Sequence, residues 1–258
     1  MTYTTLSLEH DGPITRVWLD RPERLNALNT QALNEIAAAF TELQTRYETS
    51  VVILGGRGRA FCAGADRKDP PARMARGSGA SPCERRYAAQ IGRRALEAIE
   101  QLEAITIARL HGHVIGGGLV LALGCDLRLA AAGTQFHIPE VDLGIPLTWG
   151  AVPRLIRAVG ATRARELILM CDRFDADTAA QYGMLNRVVP HEQLDVEVDE
   201  WATRLAAKAP WALHMTKSQF RAYEQTTALG DVTQLDGDLL AEATSEDPTR
   251  FLFPRDTN

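Results

Sequence analysis

Between residues 51 and 66 the chain reads VVILGGRGRAFCAGAD. The opening six residues, VVILGG, have no polar side chain to offer to water. As a strand this piece is of the kind covered on both faces, which calls for a sheet flanked by helices. The arrangement recurs further on, where ITIARLHG (105–112) runs into HVIGGG (113–118). Each of these apolar strands therefore ends in a glycine-containing loop.

The remaining elements fit a mixed α/β chain. ITRVWLD (14–20) has the β-branched and aromatic content of a strand, and RPERLNALN follows it as a turn. Asn29 or Thr30 can cap a helix in which Leu33, Ile36, Phe40 and Leu43 recur at helical spacing, through about Tyr47. The segment 67–84 is rich in Pro, Gly and Ser without an apolar period and reads as a mobile surface loop, of a length that often serves as a lid. A helix is predicted from about Glu84 to Leu102, and GGG (116–118) opens another. DLRLAAAG (126–133), TQFHI (134–138) and MLNRVVP (184–190) read as short strands. Helices dominate the rest, at about 149–159, 162–171, 175–182, 192–208, 210–227 and 231–244.

Several function classes are excluded early. A net charge of −5 gives no basic face, and Arg and Lys are interspersed with acids, so no nucleic-acid partner is expected. The longest apolar run, VIGGGLVLALG (114–124), is too short to span a bilayer, and no membrane partner is expected. MTYTTLSLEHDG carries acids and lacks the basic-then-apolar order of a signal peptide. Cys62, Cys83, Cys125 and Cys171 form no C-x-x-C pair, so reduced thiols and a cytoplasmic location are expected. His111 and His113 stand in an H-x-H pattern without a third ligand beside them; no metal is expected. No phosphate loop, dinucleotide fingerprint or G-x-S-x-G is present.

The two glycine loops admit two readings. They are tight turns that let segments pack closely, or they aim backbone N–H groups at one point and form an oxyanion hole. A carboxylate stands nearby in sequence order: Glu140, in FHIPEVDLG (136–144), is surrounded by apolar residues.

The order of RPERLNAL (21–28), VVILGGRGRAFCAGADRKD (51–69), HGHVIGGGLVLALGCDLRLA (111–130) and FHIPEVDLGI (136–145) resembles the crotonase superfamily, the enoyl-CoA hydratase/isomerase family. RLIRAVG (154–160), ARELILMCDRFDADTAAQYGMLNRVVP (164–190) and APWALHMTK (209–217) extend the resemblance, whereas EDPTRFLFPRDTN lacks the family's usual ending. The resemblance implies a spiral of β-β-α turns over 1–195 that holds an acyl-CoA thioester. It further implies a helical trimerisation region over 196–258, giving homotrimers or hexamers. No cofactor is implied beyond the coenzyme A of the substrate.

By residue match the oxyanion donors are the backbone N–H groups of Ala65 and Gly117, next to Gly64 and Gly116. The Ala63 carbonyl meets the adenine ring. Arg24, Leu25 and Ala27 line the bent coenzyme A, and Lys68 partners its phosphates. Asp66 fixes its own loop, and Asp142 caps or hydrogen-bonds backbone. His111 and His113 hold the loop before GGG, and His137 packs beside the acid. Lys217 falls on the family's helix lysine, with a surface ion pair as the alternative role.

The resemblance has one gap at its chemical centre. The family's hydratases use two glutamates; Glu140 matches the second, but the position of the first holds Val120. Dienoyl isomerases of the family carry an aspartate eight residues after the glutamate, and here that position is Thr148. Isomerases working with one glutamate remain the best match, with Pro139 beside the acid and Leu147, Thr148 and Trp149 making a bulkier, drier wall. The alternatives are a hydratase in which water or a carboxylate such as Asp69 substitutes for the missing acid, and a catalytically silent acyl-CoA-binding protein.

Overall fold

The computed structural model describes residues 2–71 and 79–226. Part of the proline- and glycine-rich segment, the helix expected at 231–244 and the divergent C-terminal sequence lie outside these residues. A six-stranded sheet runs in the order β1 (Leu6–Asp11), β2 (Ile14–Leu19), β3 (Val51–Gly56), β4 (Ile105–Leu110), β6 (Leu127–Ala131) and β9 (Arg187–Val189). Only β1 and β2 pair antiparallel; the other neighbours are parallel. A smaller sheet joins β5 (His113–Ile115), β7 (Gln135–His137) and β8 (Phe174–Asp175).

The unbroken apolar run of β3 is divided between two cores by its own pleat. Val52 and Leu54 join the larger core with Val17 and Leu19 of β2, while Val51 and Ile53 join a second one. Helices α1 (Thr30–Leu43), α3 (Ile91–Gln101) and α4 (Gly117–Leu123) supply the larger core. In α1 the buried Leu33, Ile36, Phe40 and Leu43 keep helical spacing, and the Asn29 side chain caps its start through Ala32 N–H at 2.9 Å. Helix α7 (Leu194–Ala206) closes the other face with Leu194, Val198 and Ala202.

Some elements differ from the sequence expectation. The helix expected over 84–102 is two helices, α2 (Pro82–Ala89) and α3, separated at Gln90. Its start is fixed by a capping box between Ser81 and Glu84, inside the stretch read as loop. The two helices expected over 149–171 are one run, α5 (Ala151–Met170), kinked at Gly160. Helix α6 (Ala176–Gln181) follows β8, with the Asp175 carboxylate as its cap. Strands β1, β5 and β8 were not anticipated.

Helix α8 (Pro210–Thr226) is tied to the sheet by Lys217. Its Nζ donates to the Ala104 carbonyl at 2.9 Å and lies 2.7 Å from Asp126 Oδ2. Asp126 also accepts from the N–H and hydroxyl of Thr106. Lys217 is only 3% exposed while Asp126 is exposed, so the ion pair has its cation inside the protein and its carboxylate at the surface. Burial pulls its ammonium below the usual lysine range, and Asp126 offsets part of that. Removing one partner of such a pair leaves a charge without its counterion. Lys217→Met is expected to cost about 1–2 kcal/mol in urea unfolding, with part of the loss recovered when Asp126→Asn is added.

Candidate active site

Four chain segments converge because they are paired side by side in parallel. Leu28 bridges Ala65, Cys62 bridges Val114, and β5 pairs with β7 in the register Val114 to Phe136 and Ile115 to His137. Parallel partners leave a sheet at the same end. Residues just past β5, Gly116 and Gly117, therefore emerge beside those just past β7, which lead through Pro139 to Glu140. The loop at 63–65 is delivered to the same end by the Cys62–Val114 bridge.

The N–H groups along these loops are mostly taken. Ala63 donates to the Leu25 carbonyl, Asp66 to Leu28, Ile115 to Cys62 and Gly116 to His137, at 2.8–3.0 Å. For Ala65 and Gly117 no acceptor is found among the described residues. Gly117 is the first residue of α4, so its N–H precedes the helical ladder. The two loops touch: a Cβ on Gly64 would sit 2.9 Å from the Ile115 carbonyl and 3.8 Å from the Gly117 nitrogen. Gly64 also has a positive φ of 87° and admits no larger residue without strain.

Glu140 lies against Gly116. A Cβ there would come within 2.6 Å of its Oε1, and the backbone at φ 48° and ψ −117° is open to glycine alone. Part of the Glu140 side chain is exposed, but Oε2 is shut off from solvent and has no hydrogen-bond partner among the described residues. Burial raises its carboxyl to about 7, with its own backbone N–H opposing the shift. Val120, one turn into α4, is buried in the larger core. Thr148 is half-buried, and its carbonyl accepts from the Ala151 N–H.

The loop carrying Leu25 and Ala27 is held by residues that the sequence reading passed over. Asn26 Oδ1 accepts from the Arg21 N–H, and its Nδ2 donates to the carbonyls of Arg57 and Ala60. The Arg21 guanidinium donates to the Ala27 carbonyl and pairs with Asp66 at 2.9 Å, both side chains largely buried. Asp66 in turn accepts from the N–H groups of Lys68 and Asp69. Burial pushes the Asp66 carboxyl up, but the Arg21 and backbone hydrogen bonds outweigh it and hold it below the usual range. The only sequence signal for this network was the arginine and asparagine of RPERLNAL. Both residues at 25 and 26 have positive φ, a conformation this network maintains.

Other candidates fall further from the carboxylate's business. Arg24 and Lys68 are exposed beside the loops, as a role on a bound phosphate group would need. Asp69 Oδ2 accepts from Asn29 Nδ2 at 2.9 Å. His111 bridges Arg109 and the Gly58 carbonyl, each at 2.9 Å, and so holds the loop after β3. His113 Nδ1 is buried without a partner among the described residues. His137 Nε2 engages the Cys171 carbonyl at 2.9 Å. Asp142 is exposed with no side-chain hydrogen bond among the described residues, so it is not the cap that was expected. Cys62 is fully buried, and desolvation pushes its thiol up to about 12.

Comparison with known proteins gives the family and the fold. A family model described as enoyl-CoA hydratase/isomerase matches residues 9–251. A probable enoyl-CoA hydratase of Mycobacterium tuberculosis is 36% identical over 231 residues, covering 89% of this chain and 86% of the relative. A peroxisomal Δ(3,5)-Δ(2,4)-dienoyl-CoA isomerase of Arabidopsis thaliana is 33% identical, covering 84% of this chain and 81% of the relative. The crystal structure of an enoyl-CoA hydratase from Bacillus anthracis superimposes with a TM-score of 0.79 at 32% identity, over 96% of this chain and 93% of that one. The fold is thus the crotonase fold, a scaffold shared by hydratases and isomerases. The chain belongs to the enoyl-CoA hydratase/isomerase family of enzymes.

The raised Glu140 carboxyl makes a prediction about stability. Between its unfolded value of 4.5 and its folded value of about 7, the native state holds the proton that the unfolded chain has released. The protonated Glu140 therefore contributes stability that is fully present below 4.5 and is lost as pH rises through about 7. Glu140→Gln cannot ionise, so it should be more stable than the native chain at pH 8, by at most about 3 kcal/mol, and nearly equal to it at about pH 4.5. Denaturant midpoints at the two pH values check this.

Proposed function

We propose that the protein acts on an enoyl-CoA thioester and moves its double bond, with Glu140 as the single proton carrier. The observation that carries this reading is the enclosed Glu140 carboxylate, poised near neutrality beside the Gly116–Gly117 turn, while Val120 stands where a second acid would be. The Glu140 carboxylate takes a proton from the α-carbon of a 3-enoyl thioester. The C–H electron pair moves into the conjugated system and places negative charge on the thioester oxygen. The N–H groups of Ala65 and Gly117 receive that oxygen, and losing one such donor typically costs about a hundred- to a thousand-fold in rate. The Glu140 carboxylic acid then returns the proton to the γ-carbon, giving the 2-enoyl thioester and regenerating the base. A carboxyl near pH 7 suits both halves of this exchange.

Coenzyme A would lie along Arg24, Leu25 and Ala27, with its adenine at the Ala63 carbonyl and its phosphates near Lys68. Gly64, Gly116, Asp66 and Pro139 shape the loops around the thioester. Relatives named as hydratases favour a second reading, hydration of a 2-enoyl thioester, in which water stands in for the acid missing at Val120. We infer further that the chain assembles as a trimer or dimer of trimers through its C-terminal helices. Trp211, Phe220 and Tyr223 of α8 and Leu169 and Met170 of α5 are exposed large apolar side chains that such an interface would cover.

Incubation with a 3-enoyl-CoA and with crotonyl-CoA tests the reaction. Double-bond migration without hydration is expected; hydration of crotonyl-CoA at a comparable rate would replace the isomerase reading with the hydratase one. Glu140→Gln should lower kcat by at least about a hundredfold while acyl-CoA still binds, and turnover by the native chain should rise with pH through about 7 as the base ionises. Full turnover by Glu140→Gln would sink both readings. Sedimentation velocity should find trimers or hexamers, and a monomer at micromolar concentration would contradict the assembly.

A further inference from the structure

Trp149 has a backbone conformation and a setting that its place in a connecting turn does not require. Its φ is 60°, in the left-handed region that large side chains rarely enter, and Gly150 follows at φ 80°. Such a strained residue persists only where its surroundings hold it, and such residues cluster at ligand sites.

The holding is done by two glycines on different helices. A Cβ on Gly92, in the first turn of α3, would overlap the indole, 2.0 Å from Cδ2 and 2.1 Å from Cε2. A Cβ on Gly117, at the start of α4, would lie 2.4 Å from Cζ3 and 3.0 Å from Cη2. The ring therefore lies between α3 and α4, with its fused bond at Gly92 and its benzo edge against Gly117. Leu28 Cδ1 flanks the same edge, 3.2 Å from that Gly117 Cβ position. Gly117, like Ala65, carries a backbone N–H without an acceptor among the described residues. The indole is thus packed against the residue that would grip the thioester oxygen, and it fills the space between that residue and α3.

We propose that Trp149 is the specificity-determining residue of the acyl site, a wall that admits short acyl chains and turns away long ones. This rests on the acyl-CoA reading given above and adds to it which thioesters are accepted. An acyl chain held at its carbonyl by Gly117 has its next carbons within a few bonds of the indole edge. A long chain directed toward α3 would have to displace a ring seated on two glycines. In a hydrophobic pocket a single methylene changes discrimination by about ten- to two-hundred-fold, so an indole is large enough to set a length limit. The wall is apolar and carries no proton, which leaves the chemistry to Glu140.

Binding separates this inference from the reaction. Dissociation constants of butanoyl-CoA and dodecanoyl-CoA, both unreactive saturated thioesters, are measured by calorimetry for the native chain, Trp149→Phe and Trp149→Ala. The native chain is expected to favour butanoyl-CoA. Trp149→Ala should shift the ratio toward dodecanoyl-CoA by about tenfold or more, with Trp149→Phe intermediate and serving as the better-folded variant. A ratio that stays within about threefold in both variants, with both esters bound, would overturn the role of Trp149 alone. Failure of the native chain to bind either ester would instead remove the acyl-CoA reading and this inference with it.

Discussion

The lateral pairing of four short segments is the constraint on which everything else rests. The segments around Leu28, Cys62–Ala65, Val114–Gly117 and Phe136–Glu140 are joined through the Leu28–Ala65 and Cys62–Val114 bridges and the β5–β7 pair. Each pairing uses backbone N–H and C=O groups, so it fixes where the loop ends go regardless of the side chains at their tips. Glycines then allow those tips to approach more closely than any side chain would permit. Arg21, Asn26 and Asp66 hold the segment of the four in which residues other than glycine, Leu25 and Asn26, have left-handed backbone. The N–H groups of Ala65 and Gly117, without acceptors among the described residues, and the position of the Glu140 carboxylate are outcomes of this backbone arrangement.

Burial does two jobs in the same place. It supplies the stability of two hydrophobic cores on either side of the parallel sheet, and it removes water from the Glu140 carboxyl. The second effect raises the proton affinity of the acid and costs stability whenever it is ionised. A chain selected for stability alone would leave such an acid in water or give it a partner. The strained backbone of Trp149 is a similar local cost borne at the same site.

Much of this was legible in the sequence, and the failures have identifiable causes. VVILGG could only be a strand covered on both faces, and the spacing of Leu33, Ile36, Phe40 and Leu43 could only be a helix with one buried side. Strand β1, LSLEHD, escaped because its buried and exposed positions do not alternate cleanly at a sheet edge. β5 and β8 are three and two residues long, too short for any period to register. The break at Gln90 is marked by neither proline nor glycine, and α2 buries none of its residues, so the helical pattern runs straight through. Lys217 reads as a surface lysine because nothing local says that its side chain will be buried under α8 and reach Asp126, ninety-one positions earlier by the numbering.

The sequence by itself determined the class of the fold, the motifs by which it resembles its family, the two glycine loops and the candidate acid Glu140. These follow from local chemistry: residue types, their spacing, and the glycines that no other residue could replace. Only the tertiary structure decided that Glu140 stands against Gly116 with one oxygen unpartnered, and that Trp149 lies across Gly92 and Gly117. Both are contacts between segments far apart in the chain, made by strand register and helix packing. The proton affinity of Glu140 depends on what surrounds it in space, and its neighbours in the sequence contain only part of that information.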